Sequence, residues 1–291
     1  MSVGERIPVR QRSSSSRRPV RLLLPAVLVA AVVWSFSGTD VGLGSLIEGR
    51  AGAAQLISGL FPPDLDADLL TRVLTAAVET LQMSVAALLL GAVIGLPLAV
   101  VMAGNVQAPR WLAATARTVA TLLRSVHELL WALLFVATVG LGPAAGVYAI
   151  SLHSAGVLAK LCSEQLEAVD AGPVEAMRLT GGSRFTTALL GIIPQARAHL
   201  ASQVLYQWEC NIRSSVVIGF VGAGGIGQAL GIALHLFRYQ ELATLVASVV
   251  ILVIGVDRIS KIFRSRLGAA SGRAGGGTPH SHRSFFGRSV R

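Results

Sequence analysis

The apolar run at residues 74–102 constrains this chain more than any other feature. It is rich in Ala, Leu and Val, with Gly91, Gly95 and Pro97 set into it. About 20 apolar residues in a helix cross the hydrocarbon core of a bilayer. Small residues inside such a helix let neighbouring helices approach closely in lipid. The composition extends the point to the whole chain. Of 291 residues, 53% are hydrophobic and only 14% are charged, where a soluble domain carries roughly 25% charged residues. Mean hydropathy is +0.64. The length would allow one or two soluble domains, but the missing charge calls for lipid as solvent and for a single membrane domain.

Five further apolar runs predict five further spans, at about 22–36, 126–141, 144–161, 199–221 and 242–259. The first is short and follows arginines, so a cleavable signal peptide is its rival reading. No A-x-A site follows it cleanly, which favours a retained span. Arg110, Arg117 and Arg124 recur every seven residues and so share one helical face. That stripe reads as an amphipathic arm, cytoplasmic or interfacial, leading into the third span.

Charge orients the spans. Arg6, Arg10, Arg12, Arg17, Arg18 and Arg21 precede Leu22 against Glu5 alone. Arg258, Lys261, Arg264, Arg266, Arg273, Arg283, Arg288 and Arg291 follow Val256 against Asp257. Basic ends of this kind place both termini in the cytoplasm and attract anionic lipid. The connection at 37–71 leans acidic, with Asp40, Glu48, Asp64, Asp66 and Asp68 against Arg50, which suits the outside. The polar loop at 162–197 then falls inside. A net charge of +10 and a pI near 11.1 raise nucleic acid as a partner, but no nucleic-acid-binding module accompanies the charge, so none is expected.

Several enzyme classes find no support. Cys162 and Cys210 form neither a C-x-x-C pair nor a Cys/His cluster, so neither a disulfide framework nor a metal site is expected. The lysines, Lys160 and Lys261, do not follow the glycines of a phosphate-binding loop. Gly222-Ala223-Gly224-Gly225-Ile226-Gly227 spells the G-x-G-x-x-G of a dinucleotide turn. That fingerprint needs a strand before it, a helix after it and an acid about 20 residues on. Here a membrane span precedes it. The glycines instead suit a tight helix-breaking turn at the end of a span, against the simpler reading of a flexible exit loop.

The loop from Val174 reads "VEAMRLTGGSRFTTALLGIIPQA". It resembles the coupling loop of the permeases of ABC importers: E-A-A, three residues, Gly, nine residues, then I-x-L-P. Glu175, Ala176, Gly181 and Pro194 fall on that pattern, while Met177, Gly191 and Ile193 depart from it. "LYQWECNIRSSVVIGFVGAGGIGQAL", 205–230, resembles the phosphonate/phosphite-type branch of the MetI-like permeases. "LLRSVHELLWALLFVATVGLGP", 122–143, resembles their third span, with His127 where proline is common.

The resemblance implies an all-α integral membrane protein of about six transmembrane helices, multi-pass in the plasma membrane, with both termini cytoplasmic. Residues 1–21 would form a basic cytoplasmic arm and 22–72 the first span with its external loop. The permease core would occupy 73–263, with its coupling loop at 162–197, and 264–291 a disordered basic tail. The coupling loop would fold as two short helices at a right angle and dock on a separate ATPase subunit, which would use ATP and Mg. No cofactor is expected on this chain. An extracytoplasmic binding protein would deliver phosphonate or a related phosphorus oxyanion to the outer-mouth turn, Gly222, Gly224, Gly225 and Gly227. Two copies would line the path as a homodimer.

Within the membrane, Glu209 and Arg213 stand four apart, hence on one helix face. An ionised residue at that depth must be paired or hydrated. Two readings stand. The charges neutralise each other, or pair with Glu128 and Arg124, and hold helices together. Alternatively, Arg213 with Asn211, Ser214 and Ser215 offers donors to a passing oxyanion, for which the planar guanidinium is suited. His153 and His199 read as hydrogen-bonded structural residues rather than proton relays. Another small solute, an ion-coupled secondary transporter using Glu209 and Glu128, or a non-transporting scaffold are the rival functions. The tests that separate them are ATPase co-purification and uptake.

Overall fold

The protein, studied as a computed structural model, is described for residues 18–38 and 43–274. The basic arm at 1–17 and the tail from 275 lie outside the described residues. The described chain divides after Ser58 into two units. The first holds α1 (Arg18–Ser37) and most of α2 (Leu43–Gly59). Within α1, Val27–Ser37 is a short apolar helix. The α2 helix lies in the stretch expected to be a polar connection. Ala, Leu, Ile and Gln outnumber its glycines, and Ala, Leu and Gln favour helix.

The second unit is all-helical among the described residues. It runs through α3 (Ala67–Met102), α4 (Arg110–Ser125), α5 (Glu128–Val139), α6 (Pro143–Glu167) and α7 (Ala171–Leu179). It continues through the short α8 (Arg184–Thr186), a π segment (Thr187–Ile192), α9 (Ile193–Gly219), α10 (Gly225–His235) and α11 (Tyr239–Ala274). A 3-10 turn, Gly104–Val106, joins α3 to α4. Because α11 reaches Ala274, the tail expected to be disordered over 264–291 is helical from 264 to Ala274.

Each of the six expected spans is helical. Three helices, α3, α6 and Tyr239–Arg266 of α11, are both long and apolar enough to cross a membrane. The third expected span is different from the expectation. The α5 helix has 12 residues, about 18 Å, which is too short for a core of about 30 Å. It is long and apolar enough to cross only if counted together with α4, from which it is bent by 84°, the shape of a broken span or a re-entrant loop. The bend has a local cause. Val126 is extended, and His127 Nδ1 accepts the Leu129 N–H at 3.2 Å, capping a new helix. The α9 helix is long enough at 27 residues, but its polar residues keep it from being uniformly apolar.

Helix α6 is the hub. In its most apolar window 61% of residues are buried, against 28% for α3 and 22% for α11. Small residues on all its sides allow this. A side chain at Gly95 of α3 would stand 2.6 Å from the Ala155 carbonyl of α6, so the two backbones meet there only because Gly lacks Cβ. The outward faces of α3 and α11 carry exposed Leu74, Val85, Leu89, Val93, Ile251, Ile254 and Phe263. A contiguous apolar surface of that kind is stable against lipid or another apolar partner rather than water.

The core is layered along the bundle. At one end Leu69 and Val73 of α3 pack with Ile226 and Leu230 of α10 and Leu242 and Leu245 of α11. At the other, Ala99 meets Leu158, Cys162 and Leu166 of α6, Val174 of α7, and Ile192 and Ala196. Cys162 is buried and Cys210 half-buried, both as free thiols.

Candidate functional site

The glycine segment forms a turn between two helices. Gly222, Gly224 and Gly225 take φ of +90°, +85° and +66°, values that cost other residues strain. The flexible exit loop is thereby replaced by a structured one: α10 follows at once and packs on α3, α9 and α11. A Cβ on Gly227 would stand 2.0 Å from the Val216 carbonyl of α9. The turn is moored elsewhere too. The Gly142 N–H donates to the Gly222 carbonyl at 2.9 Å, and the Ile226 N–H donates to Thr80 Oγ1 at 2.9 Å.

The loop at 162–197 is an elbow. Asp170 caps α7 by accepting the Gly172 N–H at 3.1 Å. The α7 helix ends at a corner where Gly181 takes φ +87° and the Gly182 N–H returns to the Met177 carbonyl at 3.0 Å. Ser183 caps the next arm through the Thr186 N–H at 3.1 Å. That arm is not a separate short helix, as the resemblance implied. It passes through the π segment into α9, where Pro194, having no N–H, donates no bond back into the segment before it. Glu175, Ala176, Gly181 and Pro194 are all exposed. In the same elbow Leu179, at the end of α7, and Phe185, in α8, are 86% and 75% exposed.

Elbow and glycine turn dock on opposite parts of α3. The turn holds Thr80, while the elbow reaches the residues just after Met102. Those points are separated by about 33 Å of helix, close to the thickness of a bilayer core.

Between them, α9 presents two faces. Gln207, Asn211 and Ser215 are buried. Asn211 Oδ1 accepts from Ser154 Oγ at 2.7 Å and from Gln207 Nε2 at 3.1 Å, tying α9 to α6. Asn211 and Ser215 therefore serve the core, not an open surface. On the other side Tyr206, Arg213, Val217 and Phe220 are exposed and lie within about 60° of arc at 3.6 residues per turn.

The charges sort differently from the i, i+4 pairing. Glu209 pairs with Arg264 of α11, not with Arg213, although the spacing allows it. Packing of α11 against α9 brings a second guanidinium to the carboxylate, while Arg213 turns to the exposed face. Glu128 Oε1 accepts from Ser214 Oγ at 2.5 Å, joining α5 to α9, and forms no ion pair with Arg124 among the described residues. Arg213 Nη2 lies 3.6 Å from Cys210 Sγ, and Arg213 forms no ion pair among the described residues. A His153 ring nitrogen lies 3.2 Å from the Val126 carbonyl, the structural contact expected of it, and His199 is exposed. Among the described residues no three His, Cys, Asp or Glu side chains gather as metal ligands. Thr80 and Arg264 went unread in the sequence because each acts on a partner 146 and 55 positions away.

Comparisons with known proteins agree on one family. Residues 95–269 match the family described as binding-protein-dependent transport system inner membrane component. The putative phosphite transport system permease protein HtxC of Stutzerimonas stutzeri is 40% identical over 206 residues, covering 70% of this chain and 72% of that protein. The phosphate-import permease protein PhnE of Mycolicibacterium smegmatis (strain ATCC 700084 / mc(2)155) is 36% identical over 250 residues, 86% of this chain and 47% of that one. Among solved structures, an inward-facing MetNI methionine ABC transporter superimposes with a TM-score of 0.63 at 20% identity. The match covers 70% of this chain and 99% of that one; at that identity it speaks for the fold alone.

Proposed function

Because the chain belongs to the inner membrane components of binding-protein-dependent transport systems, we propose that it lines the import path for a small phosphorus oxyanion. Transport is driven by ATP and Mg on a separate ATPase subunit. The elbow faces the cytoplasm with both termini, and Glu175, Ala176, Gly181 and Pro194, with the exposed Leu179 and Phe185, form the surface that receives the ATPase. The glycine turn lies at the outer mouth, where a binding protein delivers solute. Two copies appose their α9 faces as a homodimer.

The observation that carries the substrate class is Arg213. It is a guanidinium on the exposed stripe of α9 that forms no ion pair among the described residues. Its planar fork donates two parallel hydrogen bonds, which match a phosphorus oxyanion. The names of the relatives, phosphite for HtxC and phosphate for PhnE, point to the same class. Glu209 and Glu128 contribute indirectly, by fixing α9 to α11 and α5. Those engagements occupy the two acids, Glu209 and Glu128, that an ion-coupled transporter was expected to use.

The test is reconstitution. The chain is purified with its ATPase and binding protein, and uptake of labelled phosphite, methylphosphonate and phosphate is compared. ATP-dependent uptake of at least one is expected, falling about tenfold or more for Arg213→Gln, the scale of one lost charge-assisted contact. Unchanged uptake by Arg213→Gln removes the arginine from the path. Uptake on a proton gradient without any ATPase overturns the reading.

A further inference from the structure

We infer that Arg178 and Arg184 are positioning residues of transport, clamping the α3–α4 turn to both arms of the elbow so that elbow motion reaches α3, α4 and α6 directly. The inference rests on the ATPase-driven reading above.

The turn supplies acceptors because it is not helical. After α3 ends, Gly104–Val106 forms a 3-10 turn and Gln107 takes the left-handed conformation at φ 57° and ψ 41°. The carbonyls of Asn105 and Gln107 are thereby released from helical bonding. Arg178, in the last turn of α7, donates through Nη2 to the Asn105 carbonyl. Arg184, at the start of the other arm, donates through Nη1 to the Gln107 carbonyl at 2.9 Å. The two arginines flank the Gly181-Gly182 corner, so each arm of the elbow has its own attachment. Two attachments on opposite sides of a corner fix its orientation; one would leave it free to swivel.

On its other side the turn is anchored to the hub helix. The Gly104 N–H donates to Glu167 Oε1 at 2.7 Å, and Asn105 Nδ2 donates to the Leu166 carbonyl at 2.6 Å. Arg117 of α4 reaches back to the Met102 carbonyl at 3.1 Å. A displacement of the elbow therefore pulls on the turn, and the turn pulls on α3, α4 and α6 together.

The covalent route to α9 is less regular. It passes through the π segment, Thr187–Ile192, where Thr187 Oγ1 is buried without a hydrogen-bond partner. π segments interrupt the regular i, i+4 ladder and recur at functional positions. The hydrogen-bonded route bypasses that irregularity. Its donors are also irreplaceable in a way its acceptors are not. Any residue at 105 or 107 offers a carbonyl, whereas the contacts at 178 and 184 need a long side chain that ends in an N–H donor. Neither arginine forms an ion pair with a carboxylate among the described residues, so holding main chain is the contact each makes.

The experiment uses the full complex with its ATPase and binding protein in liposomes. It compares the parent with Arg178→Ala, Arg184→Ala, the double variant and Arg184→Lys, measuring complex yield, melting temperature, ATP hydrolysis and solute imported per ATP. The double variant is expected to assemble and hydrolyse ATP within about twofold of the parent while importing about tenfold less solute per ATP. Arg184→Lys, whose ammonium still donates to a carbonyl, is expected to retain more than half of the parental ratio. A double variant with an unchanged ratio overturns the inference, whatever its stability. So does a loss of yield and melting temperature with the ratio intact, since a purely structural contact behaves that way. If the parental chain binds no ATPase, it is the proposed function that fails; if the parent couples and the double variant couples equally well, the clamp alone fails.

Discussion

Replacing Thr80 by valine isolates what holds the glycine turn. Thr80 and Ile226 are both fully buried. Thr80 Oγ1 accepts the Ile226 N–H at 2.9 Å and donates to the Ala76 carbonyl at 2.8 Å. Valine has nearly the same shape, and Ala76 keeps its main-chain bond within α3, so the change strands one group, the Ile226 N–H. A buried donor left without a partner costs about 1–3 kcal/mol, which is roughly 5- to 150-fold in an equilibrium. The turn cannot easily settle the debt by shifting. A Cβ on Gly225 would already lie 2.6 Å from Thr80 Oγ1, so the Gly225 main chain stands against the Thr80 side chain and a methyl in place of the oxygen crowds it. Equilibrium unfolding in mixed micelles, run on the parent, Thr80→Val and Thr80→Ser, measures the loss. Serine keeps the acceptor and is expected to stay within about 1 kcal/mol of the parent, the remaining difference being the lost methyl. A valine variant within about 0.5 kcal/mol of the parent, the range of an ordinary surface change, refutes the reasoning. So does a serine variant as unstable as the valine one.

Two further substitutions probe the glycine turn and the charged contact between α9 and α11. Gly227→Ala places a Cβ against the Val216 carbonyl. It is expected to destabilise the fold by about 1–3 kcal/mol or more as overpacking between backbones, read as a lower midpoint in the same micelle titration. Glu209→Gln leaves Arg264 without its carboxylate. The pair is mostly but not fully buried, with side-chain exposures of 11% and 25%, so a cost of about 1–3 kcal/mol is expected, between exposed and fully buried pairs. A double-mutant cycle with Arg264→Gln should then return a coupling energy well above zero, and a coupling of zero denies the contact.

What could be read from the sequence and what could not divides along the distance over which each feature is decided. The spans were legible because solvent decides them locally: a run such as 74–102 has no stable exposure to water wherever its partners lie. The corner at Gly181 and the turn at Gly222–Gly225 were legible for the same reason, since a positive φ is a demand on one residue. The break before α5 was half legible. The arginine stripe marked where α4 lies, but only the capping contact of His127 reveals that α5 is a new and short helix rather than a full span. The charges misled. Glu209 and Arg213 satisfy the local rule for a helical pair, yet such a pair in an isolated helix contributes only about 0.2–0.5 kcal/mol. Against so weak a preference, a second guanidinium delivered by the packing of α11 takes the carboxylate. The consequence reaches the proposed path: because Arg264 of α11 takes Glu209, Arg213 is left on the exposed face of α9 without an ion pair among the described residues. A contact made 55 residues away in the chain thus decides which of two neighbouring charges is free to meet an anion.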